Sequence, residues 1–145
     1  MTAVVEISVF DVKPRPQGSK RHVGGGRMIE QSKHVKSYRA EIRREAAAAM
    51  MGQATPSGPV RIAVTFWFKR PASHYRGKSG VLRDDAPRTH AHGMQRGDLD
   101  KLLRAVLDAL TGVAFHDDRQ VVAIQALAIA GGRDATVVGV YEVDA

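Results

Sequence analysis

The stretch GPVRIAVTFWFK, residues 58–69, gives the clearest secondary-structure signal in the chain. Its apolar side chains recur at every second position, which is the period of a β-strand with one buried face. Five such positions in a row predict a central strand that contributes one side of a hydrophobic core. These positions are Val60, Ile62, Val64, Phe66 and Phe68.

Two helices are predicted on either side of this strand. Residues 32–52 repeat apolar side chains at helical spacing and end at Gly52, where a C-terminal cap is expected. Plotted on a helical wheel, residues 98–112 place their large apolar side chains within one arc of roughly 140°. The apolar positions are Val35, Tyr38, Ile42, Ala46 and Ala49 in the first helix, and Leu102, Leu103, Val106, Leu107 and Leu110 in the second.

Further strands are predicted at residues 3–12, 120–130 and 135–143, the last two pairing through the turn GGRD. The segment KRHVGGGRMIE, residues 20–30, is consistent with a short hairpin or with an ordered loop. Residues 70–97 form a long basic loop without periodicity, and loops of that length are usually functional or disordered.

The element order β-α-β-α-β-β predicts an α+β fold in which two main helices pack on a mixed sheet. A length of 145 residues suits one domain, spanning residues 1–145. The absence of cysteine excludes a disulfide framework and thiolate zinc sites. No signal-peptide pattern or membrane-length apolar run occurs, so we expect a cytoplasmic protein without a membrane partner.

Charge is distributed unevenly along the chain, whose formal net charge is +7. Residues 1–58 carry ten Lys and Arg residues against five acids, whereas residues 98–118 carry five aspartates against two basic residues. A strongly basic balance favours a polyanionic partner, with nucleic acid the first candidate. A generically basic soluble protein is the alternative.

The aspartates between residues 98 and 118 are candidates for a metal site. If residues 98–100 are extended, the carboxylates of Asp98 and Asp100 point the same way. Asp108 lies about 12 Å further along the helix axis, so we expect it to pair with Arg104. Asp117 and Asp118 follow the helix, and in an extended segment only one of them faces the other acids.

Three carboxylates in contact repel one another, and a divalent cation such as Mg²⁺ or Mn²⁺ relieves that repulsion. Such an ion polarises a phosphoryl oxygen and activates water for attack on phosphorus. The alternatives are structural: Asp100 as an N-cap, Asp98 as a favourable charge at a helix N-terminus, and DDR as an ordinary turn. The occurrence of all these acids in one segment of a basic chain favours the metal site.

The segment DLDKLLRAVLDALTGVAFHDDRQVV, residues 98–122, resembles the RusA family of Holliday junction resolvases, common in bacteriophages and prophages. That family's pattern is Asp-x-Asp, a helix with a basic residue and Asp-Ala-Leu, and then Asp-Asp-x-Gln. The opening PRPQGSKRHV is similar to phage and actinobacterial members. The resemblance implies that Asp98, Asp100 and Asp118 are the essential carboxylates and bind Mg²⁺ or Mn²⁺, with Asp117 as a neighbouring candidate ligand.

The resemblance also implies a homodimer that makes paired nicks in a four-way DNA junction during recombination and repair, in a bacterial or phage-infected cell. Two positions depart from the family pattern. The family's helix lysine is replaced by Arg104, and Lys101 follows the second acid where Asn is common. Arg104 keeps the charge but is a poor proton donor, so either Arg104 or Lys101 is a candidate for stabilising developing charge.

Basic residues outside the acidic segment are candidates for contact with DNA phosphates, although solvated surface charge is an equally good explanation for any one of them. They are Lys20, Arg21, Arg27, Lys69, Arg70, Arg76 and Lys78. GSKRHVGGG lacks the ending of a P-loop, so no nucleotide cofactor is expected.

The sequence therefore predicts a metal-dependent endodeoxyribonuclease selective for branched DNA. One alternative is a protein that binds branched DNA without cutting it. The other is a nuclease of the same chemistry that acts on flaps or forks.

Overall fold

The computed structural model describes residues 2–18, 20–23, 27–30 and 34–144, and for 20–23 and 27–30 it describes the backbone alone. Short 3-10 helices occupy Ala72–His74 and Asp118–Gln120. The main elements in chain order are β1 (Thr2–Phe10), β2 (Lys20–Val23), β3 (Arg27–Glu30), α1 (His34–Ala49), β4 (Val60–Lys69), α2 (Leu99–Leu110), β5 (Val121–Gly131) and β6 (Ala135–Glu142).

Four strands form one mixed sheet in the order β1-β6-β4-β5, which confirms the predicted fold class. β4 runs parallel to β5 and antiparallel to β6, and β6 also pairs with β1. The predicted pairing of β5 with β6 is wrong, because β4 lies between them. The turn after β5 was recognisable in the sequence, but a turn signal does not say which strand the returning chain will join.

The crossing from β5 to β6 passes close over the end of β4. A Cβ atom added to Gly131 would lie 2.9 Å from the ring of Trp67, so a side chain there would collide with the strand being crossed. A side chain at Gly131 would therefore require the Trp67 ring to move. The crossing leaves β4, the most regularly apolar strand, at the centre of the sheet.

Both helices pack on one face of the sheet. Every alternate residue of β4 from Val60 to Phe68 is at most 2% exposed, as the alternation predicted. In α1 the side chain of Tyr38 reaches across to the sheet, where its hydroxyl hydrogen-bonds that of Thr136, and both residues are buried. Ala49, predicted on the buried side of α1, is exposed, and Met50 is buried instead.

The long segment 70–97 is tied to the exposed edge of β5 by backbone hydrogen bonds. Ala91 N donates to Ala128 O over 2.9 Å, and Ala130 N donates to Thr89 O over 2.8 Å. The guanidinium of Arg70 donates to two backbone carbonyls further along the same segment. Backbone bonds of this kind leave no periodic side-chain pattern, which is why the sequence predicted only a loop.

The segment around the glycine triplet is a hairpin, because β2 pairs antiparallel with β3. The triplet itself, Gly24–Gly26, lies outside the described residues. No helix in the described part of the chain is long and apolar enough to cross a membrane.

Candidate active site

The first turn of α2 begins at Leu99, earlier than an extended segment 98–100 would allow. Asp98 is the N-cap residue, with extended backbone angles φ −75° and ψ 138°, and the helix starts at Leu99. Asp100 is therefore helical, and the alternation of an extended segment does not apply to it. The condition under which Asp98 and Asp100 were expected to point the same way, an extended segment 98–100, is therefore not met.

The carboxylate of Asp98 does not behave as an ordinary cap. N-cap aspartates normally accept a hydrogen bond from a backbone N–H in the first turn. Asp98 makes no such side-chain bond, and it is exposed. The alternative that made Asp100 the N-cap is also wrong, since that position belongs to Asp98.

A cleft of about 380 Å³ opens beside α2 and gathers acids from two separate segments. Asp100 and Asp118 both line it, together with Arg104. Asp100 and Asp118 thus line one cleft although they come from separate segments, whereas Asp98 is not among its lining residues. The full lining is Gln17, Asp100, Leu103, Arg104, Leu107, Asp108 and Asp118.

Asp108 lines the same cleft and forms no ion pair with Arg104, its expected partner. Of the ion pairs among the residues that the structure describes, none joins Asp108 to Arg104. The predicted pair is therefore wrong. Asp100, Arg104 and Asp108 follow at four-residue spacing, so they form one polar stripe along the helix, and Asp118 approaches that stripe from another segment.

The turn after α2 places Asp118. Gly112 has a φ of +85°, and its N–H donates to Phe115 O over 2.7 Å, which reverses the chain directly after the helix. Phe115 is fully buried and anchors this turn in the core. Arg43 of α1 donates to the carbonyls of Ala109 and Thr111 and so holds the end of α2.

Gln120 is a positioning residue that sequence reasoning missed. Its Oε1 accepts from the backbone N–H groups of His116 and Asp117, at 2.7 and 3.0 Å. Its Nε2 donates to the carbonyls of Pro56 and Gly58, each at 2.9 Å. The side chain thus ties the segment carrying Asp118 to the loop before β4. The Asp-Asp-x-Gln pattern contained this signal, but spacing alone assigned the glutamine no role.

Asp117 is held by its neighbour Arg119. Its carboxylate accepts from Arg119 N over 2.8 Å and pairs with the Arg119 guanidinium at 3.1 Å, forming a capping box with Gln120. The hydrogen bonds from the Arg119 backbone and side chain hold the pKa of Asp117 below its ordinary value. Asp117 lines a different depression from Asp118, so its metal-ligand role stays a prediction, on a carboxylate that already has partners.

Gln17, which the sequence did not single out, closes the cleft from the N-terminal side. Its backbone N–H donates to Lys101 O over 2.9 Å, and its side chain accepts from Arg39. Arg104 lines the cleft and is exposed, and it forms no ion pair with any described residue. Of the two candidate basic residues, only Arg104 lines the cleft; Lys101 contributes its carbonyl to the junction with Gln17.

The predicted DNA-contacting residues fall into three groups. Arg70 is engaged by backbone carbonyls, and Arg76 pairs with Asp84 at 3.0 Å on the surface. Lys69 and Lys78 have exposed side chains. Only the backbone of β2 and β3 is described, so the side chains of Lys20, Arg21 and Arg27 lie outside the described part of the structure. DNA contact by all of them stays a prediction.

The donor chemistry of the cleft suits a hard divalent cation, because Asp100 and Asp118 offer carboxylate oxygens. Across the described ranges, however, no three His, Asp or Glu side chains lie together as a set that could hold a metal ion. A basic α+β domain with exposed carboxylates and an arginine in one cleft has the general character of a nucleic-acid hydrolase.

Comparison with known proteins gives the family. A family model described as endodeoxyribonuclease RusA matches residues 10–141, nearly the whole chain. The protein therefore belongs to the RusA endodeoxyribonuclease family, which implies Holliday junction endodeoxyribonuclease activity. No curated protein matches the chain in sequence.

Proposed function

We propose that this protein resolves four-way DNA junctions by metal-dependent hydrolysis of the phosphodiester backbone, with its reaction centre in the cleft beside α2. The observation that supports the proposal is that Asp100, Arg104 and Asp118 line one cleft. In a protein of net charge +7, Asp100 and Asp118 are exposed and take part in none of the ion pairs among the described residues, so their carboxylates are available for a cation.

Each side chain then has a defined task. Asp100 and Asp118 would hold Mg²⁺ or Mn²⁺, which when bound supplies a polarised phosphoryl oxygen and an activated water. Asp98, exposed and without a cap hydrogen bond, is the third candidate ligand. Arg104 faces the same cleft and stabilises negative charge on the phosphate as the bond breaks. Asp108 adds a fourth carboxylate that the sequence reasoning had set aside.

The product of the proposed reaction requires two active sites. Two symmetric nicks at a junction need two sets of acids, and one chain provides one cleft. We therefore propose a homodimer acting in DNA recombination and repair, in the cytoplasm of a bacterial or phage-infected cell. Basic residues such as Lys69 and Lys78 supply phosphate contacts at its surface.

The first test is cleavage of a labelled four-way junction by Asp100→Asn and Asp118→Asn. Each substitution keeps the side-chain size and removes the negative charge, so we expect nicking to fall by about 100-fold or more, which is about 3 kcal/mol. Asp144→Asn is the matched control, because Asp144 is exposed and lies outside the cleft. Junction binding, measured by gel shift, should be kept or tightened in the two cleft variants.

Several outcomes would decide against the proposal. Undiminished nicking by both cleft variants would remove these carboxylates from the reaction. Absence of nicking by wild-type protein with Mg²⁺ or Mn²⁺, but with tight binding, would favour the non-catalytic DNA-binding alternative. Faster cleavage of flaps or forks than of four-way junctions in a panel of substrates would favour the alternative nuclease.

A further inference from the structure

The side-chain amide of Gln17 is a hydrogen-bond donor in a cleft whose other polar side chains are mostly acceptors. The described residues that line the cleft beside α2 are three aspartates and two leucines, together with Gln17 and Arg104. Ionised carboxylates only accept hydrogen bonds, and leucine neither donates nor accepts. Among these lining residues, Gln17 and Arg104 therefore have the two side chains that can donate to an anion in the cleft.

Arg39 of α1 determines which end of the Gln17 amide is engaged. The guanidinium of Arg39 donates to Oε1 of Gln17. Because arginine has donors and no acceptor, the atom that meets it must be the amide oxygen and not the amide nitrogen. The NH₂ group is then the other branch of the amide, and no acceptor in the described part of the chain takes its two N–H groups.

The backbone of residue 17 is held independently of its side chain. The backbone N–H of Gln17 donates to Lys101 O over 2.9 Å, in the first turn of α2. Pro16 packs so closely on Gly97 that a Cβ atom added to Gly97 would lie 2.9 Å from Cβ of Pro16. These contacts join residues 16 and 17 to the helix that carries Asp100. A change of the Gln17 side chain leaves this backbone connection in place.

The orientation of the amide favours a phosphate over a metal ion as its ligand. Mg²⁺ and similar cations bind the oxygen of an amide, and Oε1 of Gln17 already accepts from Arg39. A phosphate oxygen accepts hydrogen bonds, and a phosphate beside three carboxylates needs donors to offset their repulsion. A neutral amide supplies such a donor without adding a positive charge that would compete with a cation for the carboxylates.

We propose that Gln17 binds the phosphate that is cut, with its Nε2 donating to a nonbridging phosphate oxygen. The inference rests on the proposed function and adds a substrate-contacting residue to its site. Gln17 and Arg104 then hold the phosphate from two separate segments, residues 11–18 and α2. A donor fixed at an oxygen where negative charge develops stabilises the transition state of the hydrolysis.

The competing explanation is that Gln17 only fastens residues 11–18 to α1 through Arg39. Two substitutions of similar side-chain length separate these roles. Gln17→Glu keeps an oxygen for Arg39 but replaces the NH₂ group by a second oxygen. Gln17→Met removes both the donor and the acceptor without adding a charge. Loss of the donor is the one change that the two variants share.

Both variants should nick a labelled four-way junction about 100-fold more slowly than wild type in single-turnover reactions at saturating protein, which is the effect of losing one transition-state donor. In EDTA, which removes divalent ions, each should bind the junction about 10-fold more weakly in a gel shift. Urea unfolding should show wild-type stability or better for Gln17→Glu, because Arg39 keeps its partner. Gln53→Glu is the matched control, since it makes the same change of charge at an exposed residue outside the cleft, and it should nick and bind as wild type does.

Three results would overturn the contact between Gln17 and the phosphate. Wild-type nicking by Gln17→Glu, together with slow nicking by Gln17→Met, would leave only the structural connection to Arg39. Slow nicking by Gln17→Glu alone would trace the loss to the added charge. Nicking by Gln17→Glu that saturates at a lower Mg²⁺ concentration than wild type would place residue 17 at the ion instead of at the phosphate.

The outcomes for the proposed function are separate. Undiminished nicking by Asp100→Asn and Asp118→Asn would reject the reaction centre, whereas junction binding by the Gln17 variants in EDTA would still decide whether the amide contacts DNA. Wild-type nicking and binding by both Gln17 variants would reject the Gln17 contact while leaving the proposed function standing.

Discussion

Replacement of Gly97 by alanine should destabilise the start of α2 and disturb the cleft. Gly97 has a φ of +78°, which costs an L-residue about 1–2 kcal/mol. A Cβ atom there would also lie 2.5 Å from Cγ and 2.9 Å from Cβ of Pro16, closer than real Cβ contacts allow. Relieving such an overlap by moving the backbone typically costs about 1–3 kcal/mol. The expected loss in the free energy of unfolding is the sum, about 2–5 kcal/mol.

Gly93 separates the two contributions. It has a similar φ of +72°, but a Cβ there meets no atom within 4 Å. Gly93→Ala should therefore lose only the backbone part, about 1–2 kcal/mol. Urea unfolding followed by circular dichroism gives both values. The cleft should also respond, because Gln17, next to Pro16, bonds the first turn of α2, so Gly97→Ala should nick junctions more slowly than Gly93→Ala.

A double-mutant cycle with Pro16→Gly completes the test. If the overlap is the cause, removing the proline ring should recover much of the extra loss in Gly97→Ala, giving a coupling of about 1 kcal/mol or more. Equal losses for Gly97→Ala and Gly93→Ala would refute the reasoning, as would additive effects of Pro16→Gly and Gly97→Ala. Either result would show that contact between residues 11–18 and Gly97 does not stabilise the start of α2.

Two further predictions concern the core and the turn before β5. Tyr38→Phe should lower the free energy of unfolding in urea by about 1–3 kcal/mol, because it leaves the buried hydroxyl of Thr136 without this partner. The double variant with Thr136→Val should recover most of that loss. An equal loss in the double variant would contradict this explanation. Hydrogen bonds from Arg119 lower the pKa of Asp117 in the folded state. The ionised carboxylate therefore stabilises the fold at pH values above the ordinary aspartate pKa of about 4. This stabilisation is lost as the pH falls through the lower, folded-state pKa. Asp117→Asn should therefore flatten the dependence of Tm on pH below about pH 4, and an unchanged slope would show that the bond does not persist in solution.

The site divides into residues that the sequence could identify and residues that it could not. The acids were recognisable because carboxylates at short spacings in a basic chain are unusual, and the family pattern agreed. Their geometry was not predictable from spacing, since it depended on whether the helix began at Leu99 or after Asp100. That difference of two residues made Asp98 the N-cap and Asp100 helical, and only Asp100 of the two lines the cleft. Gln17 and Gln120 were missed because the hydrogen bonds of a single glutamine leave no periodic signal in the sequence.

By itself, the sequence determined the period of each element and therefore which faces are apolar. The alternation from Val60 to Phe68 required a strand buried on one face, and the leucines of α2 required a helix against it. Only the tertiary structure decided that β4 separates β5 from β6, that residues 89–91 bond the later part of the β5 edge, and that Asp100 and Asp118 line one cleft. The physical reason is that side-chain period is a local property, whereas strand order, edge pairing and convergence of distant carboxylates depend on contacts between segments that no local pattern records.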